Sequence, residues 1–292
     1  MPTSGETLSA LALIEAFLEG TTFNTFEVSN QNGVPVGLYI FEWGPTTWRY
    51  TSADQDIIWE GDTFKSIAIQ DDGVVQGGSS SNDMTIHCQA DLPVVDLFRS
   101  TPPADSIWLT VRRFHEEDNA AVIYWKGTIA NCRKVAGGAE AVIAGQALSA
   151  SFNRDGLRLC WTKGCQHMLY DSGCRVNRDD FKVIAEVTSK TGTSITVDDS
   201  GHPVGWYDGG FVEWTATDEG MVDRRGIELS ISGNELQLFG LTDRVEVGMM
   251  VSLFAGCARD GATCLNKFSN HDNYGGFEQM TEKSLYDGTR NF

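Results

Sequence analysis

The sequence has little positive charge, no long apolar run and none of the short motifs by which common enzymes are recognised. Its 292 residues carry 22 Lys and Arg against 40 Asp and Glu, a formal net charge of −18. Binding to a phosphate backbone requires clustered Lys and Arg, so specific nucleic-acid binding is not expected. A phosphate-binding loop, a dinucleotide-binding glycine motif, G-x-S-x-G and H-E-x-x-H are absent, and we therefore expect no catalysis. No segment approaches the roughly 18 apolar residues that cross a bilayer, which argues against membrane insertion.

A secretory signal and a disulfide framework are also lacking. The beginning of the chain has no basic region, and Glu15 interrupts the apolar stretch from Leu8 to Leu18, unlike a signal peptide. Seven cysteines are an odd number, and a chain of this length can fold without disulfides. We therefore expect a reducing compartment, in which the thiols are buried or bound to metal.

What the sequence does contain is alternation of apolar and polar residues, which predicts a mainly β protein with few helices. An amphipathic helix is predicted from Ser4 to Gly20 and a short helix over Pro93–Arg99. The predicted strands of the first half are Val36–Phe41, Thr47–Thr51, Thr63–Ile69, Asn82–Cys88, Ser106–Arg112, Ala121–Gly127 and Ala139–Ala147. Those of the second half are Phe181–Thr188, Ser194–Val197, Gly210–Ala216, Gly226–Ser232, Glu235–Phe239 and Met249–Phe254.

The change of pattern near Ser151–Asp155 predicts two domains, residues 1–152 and 153–292. The short strands and their turns favour a β-barrel or sandwich in the first domain. The second domain is expected to be smaller and β-rich. From Gly256 onward the composition is polar and glycine-rich with little periodicity, so an irregular tail is predicted.

Four cysteines in two pairs are the most informative feature of the second domain. Cys165 and Cys174 are separated by eight residues, and Cys257 and Cys264 by six. Structural zinc sites commonly contain a tighter C-x2–4-C knuckle, whereas an iron–sulfur cluster also takes four cysteines. The spacing alone leaves open zinc, a cluster, or unrelated buried thiols.

The neighbours of these cysteines suggest how a negatively charged cluster would be stabilised. The side chains of Arg175, Arg259 and Lys267 are close enough in sequence to offset its charge. The backbone amides beside the glycines that precede the cysteines are expected to donate to the sulfurs; these glycines are Gly164, Gly173 and Gly256.

The remaining cysteines and two histidines are weaker candidates. Cys88 and Cys132 lie in alternating strands and are expected to be buried small apolar residues. Cys160 would be a reserve ligand, while His167 and His271 flank the pairs and could replace a cysteine.

Taken together, these segments resemble the tail-tip hub proteins of long, flexible-tailed phages and gene transfer agents, a family related to the minor tail protein L of lambda-like phages. The residues that carry the resemblance in the second domain are Cys165, Leu169-Tyr170-Asp171, Cys174, Gly256-Cys257, Cys264, Phe268, Asn270, Asn273 and Gly275-Gly276-Phe277. In the first domain they are Arg49-Tyr50-Thr51-Ser52-Ala53-Asp54, Ile58-Trp59-Glu60-Gly61-Asp62-Thr63-Phe64 and Tyr124-Trp125-Lys126-Gly127. Glu278 follows Phe277 where the family often has proline.

The resemblance implies a structural protein of the virion tail tip, present in the host cytoplasm during assembly. Its first domain would form a homotrimeric ring at the distal end of the tail tube. The ring would connect the distal tail protein to the central tip or fibre protein, with the tape-measure protein as a further partner. Cys165, Cys174, Cys257 and Cys264 would hold a [4Fe–4S] cluster, with zinc as the alternative. The competing functions are a metal- or redox-dependent enzyme and a zinc-stabilised binding module.

Overall fold

The computed structural model describes residues 35–74, 83–115, 119–135, 137–153, 161–198 and 201–280. The protein is mainly β, as predicted. Its strands are β1 Val36–Trp43, β2 Thr46–Thr51, β3 Ile57–Trp59, β4 Asp62–Ser66, β5 Ile69–Asp71, β6 Met84–Gln89, β7 Trp108–His115, β8 Ala120–Lys134, β9 Glu140–Ala147, β10 Lys182–Thr191, β11 Ser194–Val197, β12 Phe211–Thr215, β13 Val222–Ser230, β14 Glu235–Leu238 and β15 Met250–Phe254. The helices are α1 Pro93–Asp96 and α2 Gly261–Asn266, with 3-10 turns at Leu148–Asn153, Arg178–Phe181 and His271–Asn273.

The chain divides into two compact units. The first comprises residues 1–154 together with 219–221, and the second comprises residues 155–218 and 222–292. In the first unit, nine strands form one sheet in the order β3-β4-β2-β1-β7-β8-β9-β6-β5. Neighbouring strands of this sheet pair antiparallel, except β2 and β4, which pair parallel.

Side chains in the first unit show that this sheet is strongly coiled. Asp71 lies on β5, the last strand in the order, yet its carboxylate accepts a hydrogen bond of 2.6 Å from the hydroxyl of Tyr39 on β1. It also accepts two bonds, of 2.9 and 2.7 Å, from the guanidinium of Arg113 on β7. An edge strand reaches the middle of its own sheet only if the sheet curls back on itself, and this buried cluster fixes that curl.

Burial on both faces of the central strands follows from this coiling. Leu38 and Tyr39 are neighbours on β1, point to opposite faces, and are 0% and 2% exposed. Trp59 and Phe64, from the β3–β4 hairpin, pack in the cluster that contains Leu38. A strand buried on both faces loses the simple alternation by which half-buried strands are recognised.

The second unit contains a closed six-stranded barrel in the order β10-β11-β14-β13-β12-β15. Its interior is filled by apolar side chains from every strand, including Val187, Ile195, Val212, Ile227 and Leu236, each at most 1% exposed. Register shifts interrupt the ladders of β10–β11 and β13–β14, and such bulges bend strands around a barrel. These apolar side chains form a core within the barrel itself. The barrel therefore supports the segments before β10 and after β15.

Most predicted strands are found with small shifts of their ends, but the predicted strand Ala121–Gly127 continues to Lys134 as β8. The predicted strand Thr63–Ile69 is two strands, β4 and β5. The three-residue strand β3 was not predicted, and neither was α2, which interrupts the predicted irregular tail. The predicted helix from Ser4 to Gly20 lies outside the described residues. Among the described residues no helix has the length and apolarity to cross a membrane.

Candidate cysteine centre

The four predicted cysteines lie on two segments that flank the barrel in sequence. The first segment, residues 161–177, precedes β10, and the second, residues 256–280, follows β15. Cys257 comes three residues after β15 ends, while Cys264 lies on α2 and is 7% exposed. Helix α2 begins at this point because the Asp260 carboxylate accepts a hydrogen bond of 2.6 Å from the amide of Thr263.

The structure brings these four thiols together. Burial, together with the smaller effect of the negative charges of Cys257, Cys174 and Cys165, raises the pKa of Cys264 to about 11. Burial also raises the pKa of Cys257, to which Cys165 and Cys174 again contribute. Cys257 and Cys264 therefore each lie within electrostatic range of both Cys165 and Cys174. All four are free cysteines, and crowded thiols that resist ionisation would be ionised by a bound metal.

Backbone and side-chain N–H groups point at three of the four sulfurs. The amide of Arg259 donates to Cys257 Sγ at 3.3 Å, and the amide of Gly275 donates to Cys165 Sγ at 3.3 Å. The side-chain amide of Asn270 lies 3.9 Å from Cys174 Sγ. Such donors are the usual partners of metal-bound thiolates, because they stabilise the negative charge on sulfur.

Asn270 connects the buried cysteines of the two segments. Its side-chain amide donates to the carbonyl of Cys174 at 2.5 Å, and its own carbonyl accepts a hydrogen bond of 3.3 Å from the Cys264 thiol. Asn273 donates to the side-chain oxygen of Asn270 at 2.7 Å, which fixes the orientation of the Asn270 side chain. Both asparagines were part of the predicted motif, but the role of Asn270 depends on its contact with Cys174, 96 residues earlier in the sequence, and could not be predicted.

Asp171 organises the loop between Cys165 and Cys174. Its carboxylate accepts hydrogen bonds from the amides of Met168, Gly173 and Cys174, at 3.0, 2.8 and 2.6 Å. These bonds, led by that of Cys174, lower the pKa of Asp171. The carboxylate thus replaces the regular backbone pairing that a loop of this shape lacks.

Unusual backbone conformations concentrate in the two segments. Six described residues other than glycine have positive φ, and four of them lie here: Tyr170, Arg175, Arg259 and Ser269. Each costs of order 1 kcal/mol or more and persists only where surrounding contacts enforce it. Clustering of such residues is typical of functional sites, which supports treating the cysteine segments as the site of this protein.

Aromatic rings fasten the first segment to the barrel. The ring of Tyr170 makes edge contacts with Phe211, Phe254 and Phe268, with centroids 6.0–6.5 Å apart. Its hydroxyl donates to the carbonyl of Ala255 at 2.8 Å. Tyr170 therefore holds the loop of the first cysteine pair against the end of β15, from which Cys257 emerges.

Lys267 places a positive charge inside the site. Its ammonium donates to the carbonyl of Trp206 and, at 2.7 Å, to that of Gly256, and it lies 4.3 Å from the Trp206 ring centroid. Burial lowers the pKa of Lys267, and the nearby charge of Cys257 opposes that shift. Arg175 and Arg259, which were also predicted to offset a cluster charge, are exposed.

The prediction that amides beside Gly164, Gly173 and Gly256 donate to the sulfurs is wrong. The amide of Gly173 bonds to Asp171, and the amide of Gly256 bonds to the carbonyl of Trp206 at 3.0 Å. The amide of Cys165, next to Gly164, bonds to the carbonyl of Arg259 at 2.8 Å. These amides serve to shape the loops, and the donors to sulfur come from Arg259 and Gly275 instead.

The weaker candidates are placed as follows. The ring of His167 lies against Gly173 and Gly275, whereas the ring of His271 is stacked on Tyr274 and is 3.5 Å from the Glu278 carboxylate. Cys160 lies outside the described residues. Cys88 and Cys132 are buried in the sheet of the first unit, as predicted. In the part of the chain that the structure describes, no three His, Cys, Asp or Glu side chains are arranged to bind one metal ion.

Gly256 is required by a close approach of two backbones. A Cβ at this position would lie 2.5 Å from the carbonyl carbon of Asp208, and still closer to its oxygen and to the Gly210 amide. We expect Gly256→Ala to lower the free energy of unfolding by about 1–3 kcal/mol, as overpacking does. The control is Gly233→Ala, where the nearest heavy atom is 3.6 Å away; it should be neutral or slightly stabilising. Denaturant unfolding of both variants checks this, and equal effects would contradict it.

Comparisons with known proteins give one match to a segment that includes the second cysteine pair, and one match to the fold of most of the chain. Residues 205–284 match a family model described as "Phage conserved hypothetical protein BR0599"; this segment includes Cys257 and Cys264 but not the first pair. Among solved structures, the chain is similar to one from "Virion of native gene transfer agent (GTA) particle", with a TM-score of 0.71 and 16% identity over 90% of this chain and 96% of that chain. At this identity the likeness establishes a shared fold. No curated protein matches the chain significantly.

Proposed function

We propose that this protein is a structural component of a phage-type tail tip, a hub that forms a homotrimeric ring at the distal end of the tail tube. It would connect the distal tail protein to the central tip or fibre protein, with the tape-measure protein as a further partner. A [4Fe–4S] cluster bound by Cys165, Cys174, Cys257 and Cys264 would clamp its second unit. Two observations support the proposal: the fold shared with a chain of a gene transfer agent virion, and the convergence of four free thiols from two distant segments.

The residues present fit a cluster of this kind. The four sulfurs interact electrostatically, and backbone amides point at two of them. A single zinc ion needs its four ligands in one tetrahedron, with Zn–S distances of about 2.3 Å. Each thiolate of a [4Fe–4S] cluster binds a different iron, so the sulfurs can stand further apart. The charge of Lys267 beside Cys257 suits a negatively charged group.

A structural role for the cluster is supported by the small number of buried apolar side chains in the two cysteine segments. They contain one six-residue helix, short turns and exposed loops, and their buried apolar side chains among the described residues are Cys174, Cys264 and Phe268. Ordering each residue costs on the order of 1–2 kcal/mol. A bound cluster would link the two segments through its bonds to the cysteines. Metal binding of this kind adds directly to the free energy of folding. The chain itself would supply the four thiols and donate hydrogen bonds to their sulfurs from N–H groups. The rings of Tyr170 and Phe268 would exclude water.

The hub role is tested by assembly. The full chain, purified without oxygen, is expected to form a trimer in analytical ultracentrifugation, and antibodies against it should label the distal tail end of particles from its host. A chain that stays monomeric when mixed with the distal tail protein, or labelling at the head, would exclude the hub. Turnover of a small redox substrate by the purified chain would instead favour the enzyme alternative.

A further inference from the structure

We propose that His167 is a positioning residue: its ring is a spacer that sets the Gly275 amide onto the Cys165 sulfur, and it is not a metal ligand. The proposal rests on the cysteine centre described above and adds to it a residue that controls the contact between the two segments. It also explains why glycine stands at two positions of the motif.

The first observation is the contact with Gly275. A Cβ built on Gly275 would lie 2.6 Å from both Cδ2 and Nε2 of His167 and 3.2 Å from Cε1. The imidazole therefore occupies the space where any side chain at this position would begin. Since the Gly275 amide donates to Cys165 Sγ at 3.3 Å, the ring touches the very residue that supplies this hydrogen bond.

The second observation is the contact with Gly173. A Cβ on Gly173 would lie 2.7 Å from Cε1 and 2.9 Å from Cγ of the same ring, and closer still to Nδ1. Gly173 precedes Cys174, and the amides of both residues are held by Asp171. One imidazole is thus packed between the loop of the first cysteine pair and the tail of the second segment.

Other contacts hold residues 274–277 beside the start of the first segment. The amide of Phe277 donates to the carbonyl of Thr162 at 2.9 Å, and the Tyr274 hydroxyl donates to that of Lys163 at 2.8 Å. The ring of Phe277 also packs on that of Trp161, with centroids 4.4 Å apart. None of these contacts is made by Gly275 itself, whose position we attribute to the His167 ring.

The position of the Gly275 amide affects how well the site would stabilise a metal-bound sulfur. An N–H donor stabilises the negative charge on a metal-bound sulfur, and hydrogen bonds to the sulfurs tune a cluster's reduction potential. Without the ring, Gly275 can move toward the vacated space and weaken its bond to Cys165. Replacing such supporting residues typically costs about 10-fold to 100-fold in metal affinity.

The test is a size exchange between the two partners. In His167→Ala the ring is missing, in Gly275→Ala a methyl group collides with it, and in the double variant the methyl group enters the space that the ring has left. Two properties of the full chain are measured: hydrogen exchange of the 274–277 amides, and the rate of iron loss to a chelator. His271→Ala is the control, because that ring is 44% exposed and stacks on Tyr274.

We expect His167→Ala to accelerate both exchange and iron loss by about 10-fold or more, and His271→Ala to change them by no more than about 2-fold. The double variant should perturb both less than Gly275→Ala alone, since the two changes compensate in volume. Unchanged exchange in His167→Ala would overturn the proposal, as would a double variant at least as perturbed as Gly275→Ala. Complete loss of iron in His167→Ala with normal Gly275 exchange would mark His167 as a ligand. Wild-type protein without iron would refute the cluster, but the exchange measurement would still decide the spacer role.

Discussion

Cys264→Ser is expected to abolish iron binding and to release both cysteine segments from the barrel. The thiol is 7% exposed on α2, interacts with three other thiols and donates to the carbonyl of Asn270. Structural metal sites contribute on the order of 10 kcal/mol to folding, which is comparable with the whole stability of a domain, about 5–15 kcal/mol. We therefore expect loss of order across residues 161–177 and 256–280, while the barrel persists on its own core. Iron analysis and limited proteolysis with mass-spectrometric mapping measure the two effects.

Cys132→Ala is the matched control for this variant. Cys132 is also a buried free cysteine, but it lies on β8 in the first unit. Removing its sulfur should leave the iron content unchanged and cost only the small packing loss of a conservative core substitution. If Cys264→Ser kept wild-type iron and the same proteolytic pattern as Cys132→Ala, the four-cysteine centre would be refuted.

Asp71→Asn is expected to lower the free energy of unfolding by about 3–5 kcal/mol, the cost of leaving a buried charge without its partner. The Asp71 and Arg113 side chains are 3% and 19% exposed and form a bidentate pair. This pair, together with Tyr39, connects an edge strand to the middle of its own sheet. The control is Asp62→Asn, which removes the ion pair between Asp62 and Arg49, side chains 51% and 32% exposed; such exposed pairs contribute about 0–1 kcal/mol. Similar midpoints for both variants in denaturant unfolding would contradict the role given to Asp71.

The same pair predicts a dependence of stability on pH. Burial alone would raise the pKa of Asp71, but hydrogen bonds from Arg113 and Tyr39 outweigh it, and the pKa is lowered. A carboxyl group whose folded pKa is depressed contributes stability above its unfolded pKa, near 3.9, and the contribution is lost as pH falls through the folded value. Wild-type protein should therefore lose stability below about pH 4 more steeply than Asp71→Asn. Parallel pH profiles would show that Asp71 does not carry this effect.

Alternation of side chains was sufficient to predict most of the fold, because half-buried strands such as Ser194–Val197 display it directly. Alternation was insufficient for strands that are buried on both faces and for elements of only a few residues. Helix α2, six residues beginning with Gly261, has too few turns to show helical periodicity. Asp260, which caps it, was a signal that could have been recognised. The split of Thr63–Ile69 into β4 and β5 depends on β4 pairing with β2 and β3, and β5 with β6.

The four cysteines remain a predicted set of ligands, and the contacts that support them were not predicted. The four cysteines were identified by resemblance, and the structure places their thiols within electrostatic range. The donors to sulfur were assigned to the wrong amides, because a glycine beside a cysteine indicates a tight turn and not the direction of its N–H. The Asn270 side chain contacts Cys174, 96 residues away, and the Gly275 amide contacts the Cys165 sulfur, 110 residues away. Tertiary contacts of this kind leave no local pattern.

The most direct test of the central claim is a metal and sulfide analysis of the full chain purified without oxygen, combined with its visible absorption spectrum. A cluster at Cys165, Cys174, Cys257 and Cys264 predicts a coloured protein with about four irons and four sulfides per chain. A colourless protein with about one zinc would keep the site but refute the cluster. Absence of iron, sulfide and zinc alike would contradict the account, and the four thiols would then be a buried group without a metal.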